Sequence, residues 1–226
     1  MSERATETLL QELTRELAPV QPVTSLRVVA CVLAGVFALA VAASGVLGLP
    51  LPGLAPGVPW DSASFLAVLL GLGALALGGL VAGLAGAIPG REALAQSGRW
   101  LGWAGLGVCA AAALAWCLSP GALRSDVPLF STLTCLARAA ALAALPALAA
   151  SIFLARAYER RARMGGVWIW LGAVALGASA VHASCSAGGA PHVLLGHLLE
   201  PLAVAALMGA LVAPWLRRGA VIERTA

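Results

Sequence analysis

Lysine is missing from all 226 residues, tyrosine occurs once, and charged side chains make up 11% of the chain against roughly 25% in an ordinary soluble domain. A soluble enzyme scatters lysines over its surface, so the lack of them argues against that class. The 14 basic residues are all arginines and leave a net charge of only +4, which also disfavours a nucleic-acid-binding face. Five cysteines are present, at positions 31, 109, 117, 135 and 185, but no Cys-x-x-C pair. A thioredoxin-like or quinone-linked disulfide enzyme is therefore disfavoured. No polar connection is long enough to form a second domain.

What remains is apolar. Hydrophobic residues make up 61% of the chain, beyond what one soluble core accommodates. A membrane-spanning helix needs about 20 such residues in a row, and six runs qualify: Val28 to Leu49, Ala63 to Ile88, Trp100 to Leu118, Leu129 to Ala155, Val167 to Ser184 and Val193 to Leu216. Pro50, Pro52, Pro56 and Pro59, then Pro89-Gly90, Ser119-Pro120-Gly121 and Gly188-Gly189 with Pro191 punctuate the connections. The expected fold is all-α. A six-helix transmembrane domain spans 28–216, preceded by a segment 1–27 and followed by a tail 217–226. Gly79 and Gly83 form a GxxxG pair, for which packing within the chain is the simpler expectation than dimerisation.

Arginine position sets the orientation, because basic residues in short loops stay on the cytoplasmic side. Twelve arginines, at 4, 15, 27, 91, 99, 156, 160, 161, 163, 217, 218 and 224, fall on one side, while Arg124 alone lies on the other and Arg138 inside the fourth span. Both termini are expected in the cytoplasm. The polar first 27 residues lack the short apolar stretch of a signal peptide, so the first span is read as a retained anchor.

Within residues 1–27, Leu9, Leu10, Leu13 and Leu17 occupy one arc of a helix, flanked by Glu3, Glu7, Glu12 and Glu16. A leucine stripe beside acid suits a groove on a basic cytosolic partner, or a helix folded back on the bundle.

The few remaining polar groups collect at the external side. Cys117, Cys135 and Cys185 lie near external span ends, where an oxidising compartment permits a disulfide. Cys31 and Cys109 read as small buried hydrophobes. His182, His192 and His197 cluster there too, with His182 three residues before Cys185 and His197 three before Glu200. Imidazole and thiol together suit zinc or copper, but the spacing matches no recognised metal motif, so neither a resident metal nor another cofactor is expected. Arg138 and Glu200 lie about 13 and 10 Å into their spans from the same side at 1.5 Å per residue, and intramembrane charges generally pair. An Arg138–Glu200 ion pair is expected. Pro146 and Pro201 mark the same two helices as bent.

Taken together, the amphipathic segment ending in Leu17-Ala18-Pro19-Val20-Gln21-Pro22, the Thr134-Cys135-Leu136 stretch, His182-Ala183-Ser184-Cys185 and Pro191-His192-Val193-Leu194-Leu195-Gly196-His197 resemble the negative regulator of sigma factor F (NrsF-like) family. These are bacterial inner-membrane anti-sigma factors. The resemblance covers nearly the whole chain and departs from the family pattern at Gly196, where a bulky aromatic is expected. It implies a non-enzymatic regulator whose N-terminal segment, including Leu9, Leu10, Leu13 and Leu17, holds an extracytoplasmic-function sigma factor until stress arrives. By position it makes Cys135 and Cys185 the sensor cysteines, responding to oxidant or soft metal, with Cys117, His182, His192 and His197 supporting them. The lipid bilayer and a sigma factor are the implied partners, and nucleic acid is not bound directly. Two other readings stay open: a membrane redox, metal or haem protein using the Cys/His cluster, and a small transporter centred on Arg138 and Glu200.

Overall fold

The computed structural model describes residues 25–46, 57–118, 129–156, 162–186, 189–199 and 202–212, together with Glu7. Among these residues there is no strand. Five long helices come first: α1 (Leu26–Val46), α2 (Ala63–Gly86), α3 (Glu92–Leu118), α4 (Leu129–Arg156) and α5 (Ala162–His182). A short α6 (Ala190–Val193) runs into a π-helical turn, Leu194–Leu199, and residues 202–212 are again helical. Among the described residues six stretches are long and apolar enough to cross a bilayer, so the chain is a multi-pass membrane protein. Lipid supplies no hydrogen-bond partners, and helices satisfy their own backbones.

The third span starts earlier than hydropathy predicts. Glu92, Gln96, Ser97 and Arg99 add two polar turns before Trp100. Those residues are good or tolerable helix formers, and nothing breaks the helix until Gly90, whose φ of 79° closes the preceding turn with its N–H donating to Glu92 Oε1 at 3.1 Å. The first turn of α2 is capped by Ser62, whose hydroxyl accepts from Phe65 N at 3.4 Å.

α2 is the central helix. It packs on α3 along one side and on α5 along the other, α5 packs in turn on α4, and α4 on α1. Glycine makes both contacts of α2 possible. A Cβ placed on Gly78 would lie 2.6 Å from Gly98 O of α3, and one on Gly79 would lie 2.8 Å from both Gly172 Cα and Trp168 O of α5. Backbone therefore touches backbone on both sides, and the Gly79/Gly83 pair is spent on α5 within the chain. Close approach of this kind replaces the hydrophobic drive that lipid removes. Trp103 and Trp168 meet edge to face at 5.7 Å across the α3–α5 side.

At the other flank, Val29 and Leu33 of α1 share one buried cluster with Ala150 and Leu154 of α4. Pro146 sits inside α4 and removes one internal hydrogen bond there. One expectation fails at the periphery: Cys31 is exposed on α1 rather than buried. α1 is an outer helix, and lipid tails do for its apolar thiol what a protein core does elsewhere. Leu9, Leu10, Leu13, Leu17, Glu200, Pro201 and the tail 217–226 lie outside the described residues.

The Gly79 contact is open to test. Gly79→Ala is expected to destabilise the detergent-solubilised protein by about 1–3 kcal/mol, since the methyl meets backbone that cannot repack. Gly73→Ala, where a Cβ meets nothing within 4 Å, should cost no stability. Thermal unfolding of the two variants checks this, and equal midpoints would refute the backbone-contact account.

Candidate functional site

Four elements deliver side chains to one point at one end of the bundle. α4 contributes Thr132 and Cys135, spaced i and i+3 on one face and both buried. α5 ends at His182, and the chain then tightens, with Ser184 N donating to Val181 O at 3.1 Å and Cys185 N to His182 O at 3.2 Å. That turn holds Cys185 over the end of α5, so His182 and Cys185, three residues apart, are related by a turn and not by a helix face. α6 begins at Ala190 with Pro191 in its first turn and brings in His192, and the π-helical turn brings in His197.

The π-turn explains how two histidines five residues apart converge. In an α-helix of 3.6 residues per turn, positions i and i+5 diverge by about 140°. A π-helix bonds i to i+5 and brings those positions closer to alignment. His192 Nε2 and His197 Nε2 are 3.3 Å apart, with the rings edge to face.

Around them the distances are short. Cys185 Sγ lies 3.3 Å from His192 Nε2, and Cys135 Sγ lies 3.9 Å from Cys185 Sγ. The two cysteines are not joined by a disulfide. The donor atoms of Cys135, Cys185, His192 and His197 all fall within 4.8 Å of one another. Thr132 Oγ1 stands 3.0 Å from His192 Nδ1, on the ring's far side. Gly196 accounts for the closeness of the π-turn to α4: a Cβ there would come within 3.3 Å of Thr132 Cγ2. The lack of a side chain at this position therefore goes with tight packing of the turn on Thr132.

His182 borders the cluster and faces elsewhere. Its ring stacks on Phe65 of α2 at 4.4 Å and meets His197 edge to face at 5.1 Å. Its Nε2 donates to Phe65 O at 3.2 Å, which anchors α5 to the start of α2. Cys117 is exposed at the end of α3 and is not among the four convergent donors. Arg138 lines a lateral groove of about 510 Å³ with Phe130, Leu133, Thr134, Ala137 and Ala141, and its Nε has no hydrogen-bond partner among the described residues. Its expected partner Glu200 lies outside them. Sequence reasoning missed Thr132 and Phe65. A hydroxyl three residues before Cys135 was the available signal for the first, whereas the second acts through a backbone carbonyl that no side-chain pattern reveals.

These features define a multi-pass membrane protein with a buried thiol–imidazole cluster at one end of the bundle. A family model described as negative regulator of sigma F (NrsF) matches residues 13–218, and the chain belongs to that family. It is thus a negative regulator of a sigma factor. Neither the curated proteins nor the solved structures contain a match.

The thiol geometry has a chemical consequence. The sulfurs need to approach by roughly 1.9 Å to reach the 2.05 Å of a disulfide, within reach of side-chain rotation and a small helix shift. A two-electron thiol oxidant is therefore expected to remove two hydrogens from the chain and join Cys135 to Cys185. Peptide mapping after alkylation checks it: the linkage should be absent in Cys185→Ser and unaffected in Cys117→Ser. Preferential linkage through Cys117 would contradict the arrangement.

Proposed function

We propose that the protein is an inner-membrane anti-sigma factor that holds an extracytoplasmic-function sigma factor at the cytoplasmic face and releases it under stress. Residues 1–27 carry the grip, through Leu9, Leu10, Leu13 and Leu17, and both termini face the cytoplasm. Chemical modification of Cys135 and Cys185 on the external side is the trigger. It acts by binding and release, without catalysis. The observation that carries this reading is the family match together with the cluster's position on α4.

α4 links the two ends of the proposed switch. Cys135 lies near its start, and Ala150 and Leu154, some 15 to 19 residues on, pack against Val29 and Leu33 of α1. At 1.5 Å per residue that is about 25 Å, close to the thickness of the hydrocarbon core. α1 follows the sigma-binding segment directly in sequence. A shift of α4 caused by joining Cys135 to Cys185 is therefore felt where α1 begins, and Pro146 lies between the two ends as a site where the helix can bend. Release requires that the sigma factor bind the reduced and modified states with different free energies.

Two outcomes are expected. Cells carrying Cys135→Ser with Cys185→Ser should keep the sigma-dependent promoter repressed and fail to induce it under oxidant, read with a reporter. Loss of repression in that strain would make the cysteines structural. In the second, full-length protein should co-purify with its sigma factor, and Leu13→Glu should reduce recovery at least tenfold while the protein remains in the membrane fraction. Undiminished recovery would move the interface away from the leucine stripe.

A further inference from the structure

We infer that Cys135, Cys185, His192 and His197 form a four-coordinate site for a divalent d10 cation of the zinc class. The inference rests on the reading of the two cysteines as the sensing groups and names the ligand they take.

The distances carry it. A tetrahedral centre with Zn–S of about 2.3 Å and Zn–N of about 2.05 Å has edges of about 3.8 Å between sulfurs, 3.35 Å between nitrogens and 3.55 Å between unlike donors. The protein places Sγ and Sγ 3.9 Å apart, Nε2 and Nε2 3.3 Å apart, and Cys185 Sγ 3.3 Å from His192 Nε2. Those are three of the six edges, and all four donor atoms lie within 4.8 Å of one another. Two sulfurs with two imidazoles is also the donor set that selects zinc over hard cations.

The surroundings agree. Metal-bound histidines donate their second ring N–H to a neighbour, which fixes the tautomer. With a cation on Nε2, His192 keeps its hydrogen on Nδ1 and donates it to Thr132 Oγ1 across 3.0 Å. His197 is fully buried and its Nε2 faces His192 Nε2 at 3.3 Å, so Nε2 is the atom this ring presents to the other donors. Two imidazole nitrogens that face each other need a hydrogen or a cation between them, and coordination supplies the cation.

Charge decides between metals. Binding breaks two S–H bonds, forms two metal–sulfur and two metal–nitrogen bonds, and releases two protons to the external solution. Two thiolates and two neutral imidazoles cancel a divalent charge and leave a neutral centre, whereas a monovalent cation leaves a net negative charge near lipid. The metal-bound and disulfide states exclude each other, because both use the same two sulfurs. The site therefore holds α4 to the α5–α6 turn by coordination, and a thiol oxidant that takes two electrons from the thiolates and joins them as a disulfide expels the cation.

The test uses the reduced full-length protein in detergent, stripped with chelator and titrated with Zn²⁺, and separately with Co²⁺ as a spectroscopic probe. About one equivalent per chain should survive gel filtration. Cobalt should show the intense visible d–d bands of a tetrahedral site together with thiolate charge-transfer absorption. Cys135→Ser and His197→Ala should each lower affinity at least tenfold. Thr132→Val, which leaves all four donors in place, should lower it ~10–100-fold, and Cys117→Ser should leave it unchanged. Zinc should also block oxidative joining of Cys135 to Cys185. Negligible retained metal, an octahedral cobalt spectrum, or retention of Cu⁺ with no zinc or cobalt bound would overturn the assignment. Sigma-factor recovery measured on the same preparations separates the two ideas, since intact capture without metal defeats only the metal site, and a bound metal without capture defeats only the regulatory reading.

Discussion

A polar side chain on a helix in lipid has no water to bond and is stabilised by a partner inside the protein. That constraint organises this molecule. Thr132, His182, His192 and His197 are each at most 2% exposed, and they meet at one end of the bundle. Thr132 answers His192, His192 answers Cys185 and His197, and His182 reaches back to the Phe65 carbonyl of α2. No single helix supplies such a set, so the convergence depends on the close packing of α2, α4 and α5, and that in turn depends on glycine at the crossings. The polar cluster and the small-residue contacts are two halves of one solution.

The spans themselves were legible because hydropathy over some 20 residues is a sum, and small errors average out. Their ends were less so. The start of α3 at Glu92 instead of Trp100 shows that helix formation follows backbone propensity, while hydropathy reports only where lipid begins. Cys135 and Cys185 could be paired by depth and by family resemblance. Their contact is a tertiary fact set by the turn after His182. The joint use of His192 and His197 was hidden more deeply, because a spacing of five is out of phase on an α-helix and comes closer to phase only through the π-turn. The two histidines have no Cys-x2–4-C pair to go with them, which is why the sequence argued against a metal and the distances argue for one. Cys31 went the other way. A cysteine in an apolar run reads as core, yet α1 is peripheral and its thiol faces outward.

The arrangement of helices gives α4 an unusual position. It carries one sulfur of the cluster, it receives the π-turn through Thr132, and its far end packs on α1. α2 and α3 meet through glycine, and α4 and α5 do so too, since a Cβ on Gly177 would run into Ala139 O. α4 contacts its neighbours through Ala139, Ala143, Ala147 and Ala150, small flat residues over which a helix can slide without forcing large side chains past one another. Shear of packed helices is an established mode of switching, and this face is suited to it.

Magnitudes narrow what kind of event at the cluster is able to act as a signal. Moving a bound population from about 99:1 to 1:99 takes a differential free energy of about 5.5 kcal/mol. Rearranging a buried hydrogen bond is worth about 1 kcal/mol net, so breaking the Thr132–His192 or His182–Phe65 contact alone falls well short. Coordination of a structural zinc ion releases about 10–16 kcal/mol in small folded sites. A disulfide fixes its two sulfurs covalently, so the packing around them must adjust to the shorter separation. Bond formation at Cys135 and Cys185 would reach that scale, and it needs both sulfurs within a few ångströms of each other beforehand. The 3.9 Å separation meets that condition. His192, 3.3 Å from Cys185 Sγ and itself held by Thr132, helps to keep that sulfur in place.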